Sequence, residues 1–161
     1  MVVAGDRQNR PVVIIGAEEL HRRINDEFGP SPRTKITQNA VNNFAKATGD
    51  HQWIHVDPER AAAGPFGTTI AHGYLTSSLG PVLLPMLLDV QGFSAALNYG
   101  SDKVRYITPV PVDSMVYLRS ATILAVDDVP GGVQLKLKLV FAIEGVEKPA
   151  CVAEVIYRYL V

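Results

Sequence analysis

The chain has 161 residues and a formal net charge of −1 at pH 7, with 47% hydrophobic and 19% charged residues. This length predicts one domain with a real core. The near-neutral charge, with no Lys/Arg cluster longer than two, argues against a nucleic-acid or anionic-membrane partner. The one cysteine, Cys151, rules out an internal disulfide, and no Cys/His set has metal-ligand spacing, so no metal is predicted.

The N-terminal segment is predicted to lie outside the folded domain. Residues 1 to 11 are polar and without pattern, which is typical of a flexible leader, and residues 12 to 161 are predicted to form a single domain. The leader has no apolar core of signal-peptide length, and the longest apolar run, "GPVLLPMLL", is too short to span a bilayer. The protein is therefore predicted to be cytoplasmic.

Two helices are predicted near the start of this domain, after a short strand over "VVII". In "AEELHRRINDEFG", the residues Leu20, Ile24 and Phe28 lie along one side of a helix. A second helix is predicted over "TKITQNAVNNFAKATGD". Thr37 suits its N-cap, and Gly49 suits the left-handed position that ends a helix.

The next segment predicts a short helix and then a buried one. In "HVDPERAAAGP", Asp57 is a capping residue and Pro58 fits the first helical position. From about Ala71 to Leu79 the chain is apolar on nearly all sides, as expected of a helix surrounded by protein. Pro81 and Pro85 are expected to end or kink that helix.

The C-terminal half is strand-like. Four segments have strand patterns: "LNYGSDKVRYI", "SMVYLRSATILAV", "GVQLKLKLVFAIEG" and "PACVAEVIYRYLV". The third alternates most clearly, with apolar residues at every second position from Val133 to Ile143. The turn segments "DDVPGG" and "EGVEK" predict antiparallel hairpins. Helices first and strands later indicate an α+β domain, with an antiparallel sheet around the buried helix and an edge strand that a dimer would cover.

Asp50 and His55 form the most distinctive polar pair in the chain. An Asp and a His five residues apart occur by chance in many proteins. One interpretation is therefore structural, with Asp50 bonding its own backbone and His55 a half-buried side chain. The other interpretation is one half of a proton-transfer site. The context favours the second, because "TGDHQWIHVDP" is soon followed by "TTIAHGY", which opens the buried helix.

In this context the chain resembles the MaoC-like family of (R)-specific enoyl-CoA hydratases, in the branch that includes nodulation-protein-N-like sequences. The resemblance covers roughly residues 35 to 160 and includes "KVRYITPVPVDS". The matching pairs are Gly49-Asp50, Ile54-His55, Asp57-Pro58 and His72-Gly73. The chain departs from the family at Gln52-Trp53, where the family usually has Asn-Pro, which bears on loop shape and acyl-chain preference.

The resemblance implies a hot-dog fold, in which an antiparallel sheet wraps a long central helix, and a homodimer. It also implies reversible addition of water to a trans-2-enoyl-CoA, giving the (R)-3-hydroxyacyl-CoA. No cofactor is then expected, since coenzyme A is part of the substrate. Asp50 and His55 would hold and activate the water. Asp50 is favoured as the base, although the sequence does not assign the two roles, and the N–H of Gly73 would polarise the thioester carbonyl.

Six further residues are weaker candidates for substrate binding. His72 is more readily explained as a hydrogen-bonded structural residue, and Trp53 as packing. Asn98 and Tyr99 are candidates for the border of the cleft. Lys103 and Arg105 share one strand face and are candidates for coenzyme A phosphates, but a solvated sheet face explains them as well.

Other functions on the same scaffold stay open at this point. One is dehydration of a 3-hydroxyacyl group on an acyl-carrier protein, and another is thioester hydrolysis. A third is of a different class, a non-catalytic hot-dog dimer that binds acyl thioesters. Hydrolysis is disfavoured because Asp50 and His55 match the hydratase pair. The set of Asp50, His55 and Gly73 argues against the binding dimer, which would not need a pair that holds water.

Overall fold

The computed structural model describes residues 3–4 and 10–161. The strands are β1 Val3–Ala4, β2 Val12–Ile15, β3 Glu27–Phe28, β4 Arg33–Lys35, β5 Leu88–Gln91, β6 Ala95–Tyr106, β7 Met115–Val129, β8 Gly132–Ile143 and β9 Cys151–Leu160. The helices are α1 Gly16–Arg22, α2 Gln38–Thr48, α3 Trp53–Val56, α4 Pro58–Ala62, α5 Gly73–Ser77 and α6 Gly80–Leu83, followed by a 3₁₀ helix over Leu84–Met86. Of the predicted leader, the structure describes residues 3–4, 10 and 11, and the rest lies outside the described residues. Residues 3–4 form β1, which pairs with β4.

One antiparallel sheet forms the frame of the domain. Its strand order is β1-β4-β7-β8-β9-β6, and β3 also pairs with β7. The β7–β8 and β8–β9 pairs confirm the two predicted hairpins. Alternate residues of β8 are buried from Val133 to Ile143, as the pattern predicts, because successive side chains of a strand point to opposite faces. Register shifts in the β6–β9 and β7–β8 pairs bend the sheet.

The central helical segment lies against the buried face of this sheet, but it is not one continuous helix. The chain forms α5, then α6, then the 3₁₀ helix, with a turn between the first two. Pro81 and Pro85 lack the N–H that continues a helical hydrogen-bond ladder, which accounts for the breaks. Leu79, Leu83 and Leu87 are buried and join the side chains of β8 in the main core.

The second predicted helix has the predicted ends. Thr37 is the N-cap of α2, and its hydroxyl accepts from the N–H of Ala40 at 3.1 Å. Gly49 ends the helix with φ 81°, the left-handed conformation that glycine adopts without steric cost. This sharp turn places Asp50 just beyond the helix.

The first helix ends earlier than predicted. Helix α1 stops at Arg22, and Asn25 turns the chain with φ 74°. The backbone N–H of Asn25 then donates to the carbonyl of Ile123, and Phe28 joins strand β3. Pairing with β7 therefore replaces the last helical turns that the apolar spacing predicts.

Two regions complete the fold. Strand β2 pairs in parallel with β5 in a separate two-stranded sheet. Strand β6 lies at the edge of the main sheet and is largely exposed, and no strand among the described residues pairs with its outer edge.

Cys151, at the start of β9, is fully buried. In the described part of the chain, every helix is too short or too polar to cross a membrane.

Candidate active site

His55 is held in a fixed orientation by the segment that precedes α5. It lies in the single turn of α3, and its side chain is 7% exposed. Its Nδ1 lies 2.7 Å from the carbonyl oxygen of Ile70. A carbonyl only accepts, so Nδ1 carries the proton, and Nε2 keeps an unshared electron pair that can accept one. The N–H of Ile70 donates in turn to the carbonyl of Ile54 at 3.0 Å, which ties α3 to this segment.

His72 stacks on the imidazole of His55. The two ring centres lie 3.8 Å apart with an angle of 25° between the ring planes. His72 Nε2 donates to the backbone carbonyl of Asp50 at 3.0 Å. Among the described residues, His72 Nδ1 has no hydrogen-bond partner. His72 therefore joins the Asp50 loop to the start of α5, in agreement with a hydrogen-bonded structural role.

Asp50 faces solvent at the edge of the same cluster. Its side chain is 55% exposed, and Oδ2 lies 4.0 Å from His72 Nε2. Oδ1 accepts from the N–H of Gln52 at 3.3 Å. One ligand-type atom from each of Asp50, His55 and His72 lies within 4.8 Å of the others. Asp50 thus bonds its own loop, as the structural interpretation predicts, and also stands beside both imidazoles.

The cluster contains residue types that bind metals. His55 Nδ1 and His72 Nε2 are each hydrogen-bonded to a backbone carbonyl, so one nitrogen of each ring is already occupied. Stacking and hydrogen bonds of the protein itself thus account for the arrangement without a metal.

Gly73 begins helix α5 beside His55. Within the described chain its N–H donates to no other group, as expected for the first amide of a helix. A side chain has no space here, because a Cβ on Gly73 would lie 2.9 Å from the ring of Tyr106. Two cavities, of about 310 and 520 Å³, are both lined by His55 and Gly73. The unshared electron pair of His55 and the Gly73 amide thus share one cleft.

Burial sets the charge of His55. The pKa of its imidazole lies below the ordinary value of 6.5, first because burial penalises the charged form and then because of the neighbouring His72. The hydrogen bond to Ile70 and the nearby Asp50 oppose this shift without cancelling it. His55 is therefore a neutral imidazole at neutral pH and is able to accept a proton.

The other predicted site residues lie away from the cleft. Trp53 packs against Gly64 and beneath the guanidinium of Arg60, 4.5 Å from its ring centre, which is a packing role. Lys103 pairs with Glu154 at 3.2 Å, and Arg105 donates to the carbonyl of Val104.

Asn98 and Tyr99 are also separated from His55. Asn98 lines a different cavity, of about 240 Å³, with Pro85 and Tyr157. The guanidinium of Arg158 covers the ring of Tyr99 at 3.7 Å. The structure thus brings together Asp50, His55, His72 and Gly73, and leaves the remaining candidates outside the cluster.

The structure adds three residues that the sequence analysis missed. Tyr106 covers Gly73 and lines the cleft, and it stands within the quoted "KVRYITPVPVDS" segment. Gln38 and Thr69 are hydrogen-bonded to each other at 2.5 Å beneath α3. Their side chains belong to polar residue types that are common at helix starts and in loops, so only the folded arrangement distinguishes them.

Comparison with known proteins identifies the family of this chain. Residues 19–127 match the family model described as the MaoC like domain. 3-hydroxyacyl-thioester dehydratase Z of Mycobacterium tuberculosis is 51% identical over 142 residues, which cover 88% of this chain and 94% of that protein. Nodulation protein N of Rhizobium meliloti is 43% identical over 115 residues, covering 65% of this chain and 66% of that protein.

A solved structure shows the same fold. The unliganded R-hydratase of Pseudomonas aeruginosa superposes with a TM-score of 0.71 at 19% identity, covering 90% of this chain and 85% of that chain. At this identity the likeness concerns the fold alone, which is the predicted hot-dog fold, an antiparallel sheet wrapped around a central helical segment. With the family match over residues 19–127, the chain belongs to the MaoC-like domain family.

Proposed function

We propose that this protein is a hydro-lyase that reversibly adds water to trans-2-enoyl-CoA and forms the (R)-3-hydroxyacyl-CoA. The observation that carries the proposal is the convergence of three groups on one cleft. These groups are the carboxylate of Asp50, the unshared electron pair of His55 Nε2, and the amide of Gly73 at the start of α5. The named activity of the M. tuberculosis relative supports hydro-lyase chemistry on an acyl thioester.

The neutral imidazole determines how the water would be handled. The Asp50 carboxylate and His55 Nε2 both accept hydrogen bonds, so a water between them directs one hydrogen to each. In the resting state neither group carries a proton for C2 at this position. The proton that C2 gains must therefore come from the water itself.

Water adds to the double bond in two proton-transfer steps. The water oxygen bonds to C3 while His55 Nε2 takes one of its protons. The electrons of the double bond move onto the thioester oxygen, where the N–H of Gly73 stabilises the negative charge. The imidazolium then returns the proton to C2. Asp50 holds the remaining O–H and offsets the charge of His55. The sequence favours Asp50 as the base, whereas the buried neutral state of His55 supports His55 in this role.

The activity is tested with crotonyl-CoA, by following the loss of the enoyl absorbance, and with longer enoyl chains. We expect turnover and an (R) product by chiral analysis. A predominantly (S) product would mean that the acid–base pair meets the other face of the substrate. Thioester binding without turnover at any chain length would instead support the non-catalytic binding dimer.

The same proposal includes features beyond the chemistry. Coenzyme A as the carrier, the homodimer, a cytoplasmic location and a reaction without a metal or cofactor all stay predictions. A parallel assay with the same acyl groups on an acyl-carrier protein tests the choice of carrier, and we expect the CoA thioester to react faster.

A further inference from the structure

The side chain of Gln38 joins three separate parts of the chain beneath the active site. Gln38 is the first residue of α2, next to the Thr37 cap, and is half-buried. Its Nε2 donates to the backbone carbonyl of His55 at 2.8 Å. Its Oε1 accepts from the hydroxyl of Thr69 at 2.5 Å. One primary amide therefore ties α2 to α3 and to the segment before α5.

The carbonyl of His55 needs this partner because α3 has only one turn. The last carbonyls of a helix have no intrahelical N–H to accept from, and a buried unpaired carbonyl costs about 1–3 kcal/mol. The amide of Gln38 supplies the missing donor. Its own oxygen is satisfied by Thr69, whose side chain is almost fully buried.

Thr69 stands directly before the residue that holds the His55 ring. The carbonyl of Ile70 accepts from His55 Nδ1, and the N–H of Ile70 donates to Ile54. Gln38 therefore binds the backbone carbonyl of His55 and also Thr69, the residue next to Ile70, whose carbonyl accepts from the His55 ring. One side chain thus fixes the backbone of His55 relative to the group that orients its ring.

We propose that Gln38, acting with Thr69, is a positioning residue that sets the orientation of the His55 imidazole in the cleft. The inference rests on the proposed function only in that His55 is the group being positioned. Glutamine fits because the site needs a donor toward His55 and an acceptor toward Thr69. Glutamate lacks the donor, and methionine fills the space with neither.

The test compares Gln38→Met, Thr69→Val and the double variant with wild type. Loss of either hydrogen bond frees α3 to shift, and a misplacement of about 1 Å is able to cost about 100-fold. We expect kcat to fall roughly 10- to 100-fold with little change in KM. The double variant should resemble Gln38→Met, because that change alone already removes both hydrogen bonds. Asn42→Ala is the matched control, since Asn42 accepts from the same amide but lies on the solvent side, and it should behave as wild type.

A second measurement does not depend on catalysis. The titration of His55 by NMR should move toward the ordinary histidine value in Gln38→Met and Thr69→Val, because a loosened imidazole is less shielded from water. Asp50 and His72, the other titratable groups that face this ring, are unchanged in both variants. The Asn42→Ala control should keep the wild-type titration.

Failure of the positioning role and failure of the proposed function give different results. Wild-type kcat and His55 titration in Gln38→Met would overturn the positioning role, even if the melting temperature falls. Absence of hydratase activity in the wild-type protein would overturn the proposed function. The NMR titration would then still decide whether Gln38 positions His55.

Discussion

His55 owes its chemical state to its immediate neighbours more than to its own type. Ile70 fixes which ring nitrogen carries the proton, burial lowers the pKa of the ring, and the neighbouring His72 lowers it further. Asp50 and His55 are identifiable in the sequence from their spacing and context. The stacked ring of His72 and the exposure of Asp50 are not, since both depend on how the loop folds back onto α5.

We expect Asp50→Asn and His55→Gln each to lower turnover by roughly two or more orders of magnitude. Both side chains are proposed to hold the same water, so the double variant should be little worse than the poorer single. The measurement is kcat/KM for wild type, both singles and the double. His51→Gln is the matched control, because His51 is an exposed histidine of the same loop. Additive losses would assign the two residues to independent steps.

The rate should depend on pH through His55. Its pKa is lowered by burial, so the acid limb of kcat/KM should lie below the value of about 6.5 for an ordinary histidine.

The free energy of unfolding should also depend on pH through His55. As pH falls below about 6.5, His55 is protonated in the unfolded chain but not yet in the folded protein. The free energy of unfolding therefore decreases until the pH reaches the lower pKa of folded His55. Above that range His55 makes no such contribution.

Urea unfolding at several pH values measures this slope in wild type and in His55→Gln. The variant should lose the His55 part of the slope between about pH 6.5 and the lower folded pKa. An acid limb at or above about 6.5 in the kinetic profile would contradict a neutral, buried base at His55.

At the scale of the elements, α5 and β6 meet closely at Gly73. The first residue of α5 is a glycine because the ring of Tyr106, at the end of β6, lies directly against its α-carbon. The sequence motif identifies Gly73 as the residue whose amide would polarise the thioester carbonyl. The structure gives a second reason for the glycine, which is that no side chain fits between the two elements.

We expect Gly73→Ala to lower both activity and stability, because the new Cβ would meet the Tyr106 ring at 2.9 Å and displace the helix start. Overpacking of this kind typically costs about 1–3 kcal/mol. The double variant Gly73→Ala/Tyr106→Ala removes the obstacle and should recover part of the thermal stability lost by the single. Tyr106→Ala alone is the control for loss of the ring. Unchanged activity and melting temperature in Gly73→Ala would contradict the close contact between Gly73 and Tyr106.

Element types follow from local patterns here, and element boundaries follow from tertiary contacts. The Thr37 cap, the Gly49 end of α2 and the alternation of β8 are all readable in the chain. The short strands β3 and β4 are not, because two or three residues show no periodicity and take their conformation from pairing with β7. The pieces of the central helix follow from the prolines, whose effect was expected, although a long continuous helix was not found.

At the scale of the whole molecule, strand β6 is largely exposed at one edge of the main sheet. Leu97 and Tyr99 are 48% and 54% exposed on a strand of 12 residues. A long edge strand with apolar side chains favours pairing with another chain. Strand β8, inside the sheet, is thus covered on one face, whereas β6, at the end of the sheet, has an open edge.

We therefore expect a homodimer in solution, with β6 at or near the interface. Light scattering at micromolar concentration should give twice the chain mass of 17.5 kDa. Leu97→Lys should shift the equilibrium toward the monomer, because a charge on an edge strand opposes pairing. Val146→Lys is the control, since Val146 is an exposed apolar residue in the turn between β8 and β9. A monomer mass for wild type would contradict this arrangement.

Because Cys151 is buried, its reaction with a thiol reagent reports local unfolding of the sheet around it. Cys151 is the only thiol in the chain, and it lies where β9 is flanked by β6 and β8. Burial raises its pKa to about 11, so the folded protein holds almost no reactive thiolate at neutral pH. A thiol reagent can therefore label the chain only when these strands separate. Its rate of reaction counts such openings directly, without a probe having to be engineered into the protein.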